Sequence, residues 1–135
     1  SAGALPVHLF MHHPPHATGF VGMDAIALKN SEAFYALLAR HGKVRHIVAG
    51  HVHRTISGSS HGIAFAVFKS PCHQQPMGFD AQDTSLSVDE PAAYGILLLR
   101  PDAVLVHTED YEISRQDLVG DPSVHGHPNG VALAV

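Results

Sequence analysis

The sequence is poor in cysteine, in basic side chains and in long apolar runs, and each scarcity excludes a class of protein. Cys72 is the single cysteine in 135 residues, which excludes an intramolecular disulfide framework and predicts a reducing, cytoplasmic location. Lys and Arg number 8 against 12 Asp and Glu, leaving a net charge of −4 without the basic patch that nucleic acid binding requires. The sequence has no run of about 18 apolar residues and therefore predicts no membrane-spanning helix. No signal peptide is visible.

What is present is the composition of one globular domain. Hydrophobic residues make up 45% of the chain, a fraction typical of sequences that fold around a core. We expect this domain to cover residues 1–112. Residues 113–135 lose the apolar pattern and are rich in glycine, proline and histidine, which predicts a weakly ordered tail. His125 and His127 in this tail follow no strand, so we expect them to be solvated.

Histidine is the abundant residue, with 13 in the chain, and two clusters of it follow apolar runs. The run over residues 7–11 ends at the motif H-H-P-P, and the run over Val44–Ala49 ends at G-H-V-H. The carboxyl ends of parallel strands meet at one edge of an open sheet, where ligands are held. A single histidine among so many is more often structural or solvated, but two clusters at strand ends favour metal binding by neutral imidazoles. We therefore expect His12, His51 and His53 to converge.

Ser31–His41 has the strongest helical pattern in the sequence. Ser31 is the expected N-cap, and Gly42 is the expected C-terminal stop. The predicted apolar face follows the spacing i, i+3, i+4, i+7 and consists of Phe34, Leu37, Leu38 and His41. This helix joins two strands that we expect to be parallel, so the crossover should be right-handed.

The rest of the chain predicts antiparallel strands and one long loop. Hairpin strands are expected over residues 54–59 and 63–69, and again over residues 94–99 and 103–109. Residues 70–92 show no period, and a loop of that length in a compact domain is functional or mobile. The predicted fold class is therefore α/β, with two parallel strands and a helix followed by an antiparallel part.

The two histidine motifs together resemble a known family. H-H-P-P at residues 12–15 and G-H-V-H at residues 50–53 are similar to the last two motifs of the calcineurin-like metallophosphoesterases. More narrowly, the chain resembles the branch that contains bacterial cyclic-AMP phosphodiesterases and glycerophosphodiesterases. Met23-Asp24, Asn30 and residues 70–74 also look like that branch, and the similarity covers roughly residues 5–110.

The resemblance implies an α+β sandwich flanked by helices that hydrolyses a cyclic nucleotide or a glycerophosphodiester with two divalent ions, Mn, Fe, Zn or Co. By the resemblance, His12 and His51 would hold one ion and His53 the other. His13 would pack beside these ligands and support them, and His73 would contact the substrate.

The sequence also departs from the family's pattern, because the earlier motifs D-x-H, G-D-x-x-D and G-N-H-[DE] do not occur in it. The resemblance therefore implies the C-terminal half of a catalytic domain. The bridging carboxylate and the general acid are expected in the missing N-terminal half, so no catalytic residue is assigned here. We expect full metal binding only with that half as partner, little activity from the chain alone, and a homo-oligomer formed through uncovered sheet surfaces.

Two alternatives remain open at this point. The chain could be a non-catalytic metal-binding or assembly fragment with no turnover of its own. It could also be an intact small binding domain of unrelated function. Metal analysis separates the first alternative from an enzyme, and the sequence encoded upstream separates the second.

Overall fold

A computed structural model describes residues 3–111, and the predicted tail with His125 and His127 lies outside the described residues. The elements follow one another as a strand, two helices and five further strands. In chain order they are β1 Val7–Phe10, α1 Val21–Ala25, α2 Ser31–His41, β2 Val44–Ala49, β3 Ile56–Ser60, β4 Ile63–Val67, β5 Ala93–Leu99 and β6 Val104–Asp110. None of the helices in residues 3–111 is long and apolar enough to cross a membrane.

The strands form a mixed sheet in the order β1-β2-β4-β3 and a separate two-stranded sheet, β5-β6. β1 and β4 both run parallel to β2, whereas β3 is antiparallel to β4. The expected parallel pairing of the first two long apolar runs is therefore present, although β1 ends one residue earlier than predicted. Mixed sheets with a few helices confirm the predicted α/β class of α+β sandwich type.

Helix α2 has the predicted bounds, but its N-cap and its buried face differ from the prediction. Asn30 occupies the N-cap position without a side-chain hydrogen bond, and Ser31 is already helical. Tyr35 and Leu38 are buried, whereas Leu37 is 41% exposed. The reason is that α2 packs on the sheet through Tyr35 and Leu38, which cluster with Ile47. In this orientation Leu37 and His41 face solvent. Gly42 ends the helix with a left-handed φ of 62°, as expected.

The hairpin β3–β4 turns at His61 and Gly62, whose φ angles are 53° and 77°. Two central residues with positive φ match the right-handed twist of a tight hairpin. Its strands are shorter than predicted: β3 begins at Ile56 and β4 ends at Val67. The Arg54 side chain, before β3, binds the loop that follows the hairpin. The second hairpin, β5–β6, forms with bounds within one residue of the prediction.

Residues 70–92 form the predicted long loop, and buried polar side chains hold its shape. Its two arms meet in an isolated bridge between Gln74 and Val88. Gln74 is fully buried, accepts a hydrogen bond from the Ser70 amide and donates to the Ser70 carbonyl. These bonds compensate for burying the side-chain amide, so the loop has a defined path.

The core lies on the face of the mixed sheet that α1 and α2 cover. One cluster packs α2 against the sheet and contains Tyr35, Leu38 and Ile47. The neighbouring cluster packs α1 against the sheet ends and contains Phe20, Met23, Ala49, Val52 and Val67. Because Val52 is part of this core, its packing fixes the backbone of the G-H-V-H motif.

Candidate metal centre

The H-H-P-P motif is fixed where β1 ends. Pro14 and Pro15 are buried, and proline holds the preceding residue in an extended conformation. The amide of Gly50 donates to the His12 carbonyl at 3.0 Å. This bond continues the pairing of β1 with β2 beyond the strands and brings the two histidine motifs side by side.

The G-H-V-H motif turns sharply through the histidines themselves. His51 has φ 68° and His53 has φ 54°, a left-handed conformation that histidine adopts more readily than most residues but at a cost of about 1–2 kcal/mol. Gly50, although glycine bends most freely, is not among the residues with positive φ. Val52 between them is 1% exposed, so core packing stabilises the strained turn.

Three imidazoles come together at this edge of the sheet. One ring nitrogen from each of His12, His13 and His51 lies within 4.8 Å of the other two. Ring centroids are 4.8 Å apart for His12–His13, 4.3 Å for His13–His51 and 5.5 Å for His12–His51. Imidazoles bound to one tetrahedral ion through bonds of about 2.0–2.1 Å have centroids about 5 Å apart, so the arrangement is close to that of a ligand set.

The backbone fixes the tautomer of His51. Its Nε2 lies 3.2 Å from the Met23 carbonyl oxygen; since a carbonyl only accepts, Nε2 carries the proton and Nδ1 keeps a free lone pair. Metal-binding histidines commonly donate their second nitrogen in this way. Burial, followed by the neighbouring histidines, lowers the pKa of His51 below 6.5, while the Met23 hydrogen bond opposes this. The ring is therefore neutral at neutral pH and able to bind a metal.

His53 lies beside the long loop and outside this group. Its ring centroid is 4.8 Å from that of His73. Burial and then the charge of His73 lower the pKa of His53, so this imidazole is also neutral at neutral pH. The structure thus unites two of the expected ligands, His12 and His51, adds His13, and pairs the third expected ligand with His73.

Two further residues support the histidines: Asp24, which falls in a stretch that the resemblance singled out, and Arg54, which carries no signal in the sequence. Asp24 accepts hydrogen bonds from the Thr18 amide and hydroxyl and from the Gly19 amide. This carboxylate shapes the loop that presents the Met23 carbonyl to His51. Arg54 follows the G-H-V-H motif and ties the long loop to it, at 2.8 Å from both the Gln75 carbonyl and the Glu90 carboxylate.

The donor set fits part of a metal site. Imidazole nitrogens suit Zn, Mn, Fe or Co, and three of them converge here. Within residues 3–111 this group of three includes no carboxylate, and the oxygens of nearby Asp24 are occupied by the loop. This group of three therefore offers neutral ligands only.

Comparison with known proteins finds relatives that are named phosphodiesterases. A probable cyclic nucleotide phosphodiesterase of Rhodopseudomonas palustris is 35% identical over 102 residues, which is 76% of this chain and 37% of that protein. The glycerophosphodiester phosphodiesterase GpdQ of Enterobacter lignolyticus is 35% identical over 75 residues, covering 56% of this chain and 27% of its own length. The cyclic-AMP phosphodiesterase CpdA of Vibrio vulnificus is 35% identical over 66 residues, covering 49% and 24%.

These relatives are calcineurin-like metallophosphoesterases, so the resemblance predicted from the two histidine motifs is confirmed. No family model matches the chain. The chain spans 37% of the length of the Rhodopseudomonas relative, so its similarity is to a part of such enzymes.

Proposed function

We propose that the protein hydrolyses phosphodiesters of the cyclic nucleotide or glycerophosphodiester type, and that this chain supplies histidine ligands to its divalent metals. The observation that carries the proposal is the convergence of His12, His13 and His51 at one edge of the sheet. The names of the relatives support the reaction class.

We assign the histidines as follows. His12 and His51 bind one ion, and His53 binds a second. His13, whose ring lies 4.3 Å from that of His51, supports the first pair or completes it, and His73 contacts the substrate. Bound divalent ions would neutralise charge on the phosphoryl oxygens and make hydroxide available at neutral pH.

The neutral donor set limits what the chain does alone. Two divalent ions repel each other, and histidines provide no negative charge to offset that repulsion. We propose that the bridging carboxylate and the general acid come from the part of such enzymes that lies outside the similarity. The chain alone is then nearly inactive, and it acts with that part as its partner, in the cytoplasm as predicted from its cysteine content.

A metal titration tests the site. His51→Ala should weaken Mn²⁺ or Zn²⁺ binding to the 135-residue chain at least about 100-fold, since even supporting residues of metal sites contribute 10–100-fold. His61→Ala is the matched control, because His61 also has a positive φ of 53° and lies outside the cluster. Equal weakening in both variants would show that backbone strain, not a lost ligand, caused the effect.

A chimera tests the reaction. The 102 residues of the Rhodopseudomonas phosphodiesterase that match this chain are replaced by the chain's own. We expect Mn²⁺-dependent cleavage of cyclic AMP that falls at least about 100-fold with His12→Ala or His51→Ala and persists with His61→Ala. A folded chimera that binds metal but cleaves no diester would contradict the proposed reaction.

A non-catalytic metal-binding role is the second candidate. It is favoured by the absence of a carboxylate from the three-histidine group within residues 3–111. In that case the chain alone would bind one divalent ion per molecule and the chimera would be inactive. Stoichiometry from the metal titration together with the chimera assay separates the two candidates.

A further inference from the structure

A groove lies between helix α2 and the turn of the β3–β4 hairpin. Its volume is about 600 Å³, within the range of about 300–1,000 Å³ that is usual for small-molecule sites in proteins. The residues that line it include Ala36 and Ala39 of α2, Val44 of β2 and Ile63 of β4. The groove is therefore large enough to hold a small organic molecule.

This groove is separate from the candidate metal centre. Val44 and Ile63 are the first residues of β2 and β4, which run parallel, whereas His51 comes after β2 has ended. Strands of five or six residues are about 17–20 Å long, so this part of the groove lies at the opposite edge of the sheet. None of the histidines assigned above to metal or substrate, all within residues 3–111, lines the groove.

The walls of the groove are held in place by contacts within the fold. Tyr35 lines it and is 5% exposed; its hydroxyl lies 2.9 Å from Nδ1 of His16, and its ring stacks on His61 with centroids 3.9 Å apart. A Cβ at Gly62 would meet no atom of residues 3–111 beyond its chain neighbours within 4 Å, so the mouth beside the turn is open. A preformed site avoids the cost of ordering its side chains when a ligand binds.

The lining is largely apolar and carries one acidic group. Alanine, leucine, valine and isoleucine side chains cover much of it, whereas Glu32 contributes a carboxylate from the first turn of α2. No Lys or Arg of residues 3–111 lines the groove. An ionised carboxylate only accepts hydrogen bonds, so the complementary ligand is a cationic donor with a hydrocarbon body.

We propose that the groove binds a small organic ammonium ion. Its hydrocarbon part lies against Ala36, Ala39 and Ile63, and its ammonium group lies beside Glu32. Glu32 is exposed, and exposed ion pairs contribute little free energy, so the hydrocarbon part provides most of the affinity and the charge provides selectivity. This binding requires neither a metal ion nor a phosphodiester and is independent of the proposed reaction.

Amide NMR shifts of the metal-free, isotope-labelled chain of 135 residues test the site, with phenethylammonium as the probe. We expect saturable shifts that are largest at Ala36, Ala39 and Gly62, with a dissociation constant in the millimolar range for so small a ligand. Phenethyl alcohol has the same ring without the charge and should bind about two- to fivefold more weakly. Hydrocinnamate, an anion, should bind more weakly still. Shifts confined to the edge that carries His12 and His51, or equal affinities for the three probes, would overturn the site.

Two substitutions on α2 locate the hydrocarbon part. Ala39→Leu fills the groove and should weaken phenethylammonium binding at least about tenfold. Ala33→Leu is the matched control, because Ala33 is exposed on the same helix but outside the lining, and it should bind the probe like the wild type. Unchanged binding in Ala39→Leu would overturn the proposal.

Glu32→Gln tests the ligand class, because it keeps the shape of the side chain and removes its charge. It should abolish the preference for phenethylammonium over phenethyl alcohol, whereas Glu109→Gln, at an exposed position of β6, should retain it. A preference that survives Glu32→Gln would refute the ammonium ion as ligand. A chain that binds no metal and cleaves no diester can still show this binding, so the two proposals fail separately.

Discussion

The Met23 carbonyl sets the chemistry of His51. By accepting from Nε2 at 3.2 Å, it leaves Nδ1 as the nitrogen that can bind a metal. The cost of burying the ring lowers its pKa and keeps that lone pair free of a proton. A main-chain atom from α1 thus decides which ring nitrogen carries the proton in a side chain that follows β2.

Metal binding by the chain should depend on pH with a definite sign. The pKa values of His51 and His53 lie below 6.5, in both cases chiefly through burial. A protonated imidazole cannot bind a metal, so affinity should fall as pH is lowered and the imidazoles gain protons. Zn²⁺ titrations between about pH 5 and pH 8 measure this. Affinity that rose on acidification would contradict the histidine site.

The sequence predicted only part of how the histidines are grouped in space. His12 and His51 could be placed together because parallel strands end at a common edge. The resemblance assigned His53 to a second ion, but no residue pattern marks the left-handed φ angles of His51 and His53 that the structure shows. Nor does any pattern predict the position of His73, which depends on the path of a loop without periodicity.

At the scale of elements, the long loop over residues 70–92 connects α1 to the edge of the sheet where the histidines lie. Its backbone binds the first turn of α1 through the bond from the Val21 amide to the Phe79 carbonyl. Phe79 also packs on Phe20 with ring centroids 5.0 Å apart. The bounds of α2 and of the strands followed closely from the apolar pattern, whereas α1 was not predicted. The long loop is fixed by polar contacts between residues distant in sequence.

Close packing of α1 on the loop predicts a strong response at Gly22. A Cβ there would lie 2.8 Å from the carbonyl oxygens of Ala81 and Gln82, which belong to the backbone and cannot rotate away. Gly22→Ala should therefore lower the free energy of unfolding by about 1–3 kcal/mol. Urea denaturation measures the loss. Gly78→Ala is the control, since its Cβ would meet only Ala81 Cβ at 3.7 Å, and a similar loss there would refute the packing argument.

The hydrogen bonds of Arg54 should contribute more to the stability of the fold than an ordinary surface ion pair does. Its side chain is 15% exposed and binds both the Gln75 carbonyl and the Glu90 carboxylate. Arg54→Met should cost about 1–3 kcal/mol, because a buried carbonyl loses its donor. Asp110→Asn breaks the Lys69 pair, in which Asp110 is 50% exposed, and should cost about 0–1 kcal/mol. Thermal unfolding compares the two variants, and equal losses would speak against a special role for Arg54.

At the scale of the whole molecule, several histidines are kept neutral by the fold. Burial lowers the pKa of His46, with a further contribution from His8, and burial is also the main cause for His16. Nε2 of His46 and Nε2 of His16 are buried without a hydrogen-bond partner. Protonation of these rings therefore favours the unfolded chain.

The metal-free chain should lose stability on mild acidification. Because the folded pKa values of His16 and His46 lie below the unfolded value of 6.5, their contribution is complete above pH 6.5 and falls as pH drops toward the folded values. Urea midpoints at about pH 7.5 and about pH 5.5 measure the slope. His46→Val should reduce it, and His107→Ala, at an exposed position of β6, should not. A midpoint independent of pH would be inconsistent with neutral buried imidazoles.

The edge of the mixed sheet predicts self-association. β1 is an outer strand, and Phe10 at its end is 68% exposed. Open edges and exposed apolar side chains favour pairing with another chain. Sedimentation velocity should show association that increases with concentration and decreases in Phe10→Lys. Asp102→Lys changes a charge in the turn of the separate sheet β5–β6 and should have little effect; a wild-type monomer at all concentrations would contradict the expectation.

The left-handed conformation of His51 and His53 has a consequence for how such a site can diverge. Besides glycine, few residues tolerate this backbone, chiefly asparagine, aspartate and histidine. Two of the permitted replacements carry oxygen donors, which prefer harder ions such as Mn²⁺ or Mg²⁺. Substitutions that the turn accepts will therefore often exchange one metal ligand for another. The backbone biases drift at these two positions toward a change in metal preference rather than toward loss of the site.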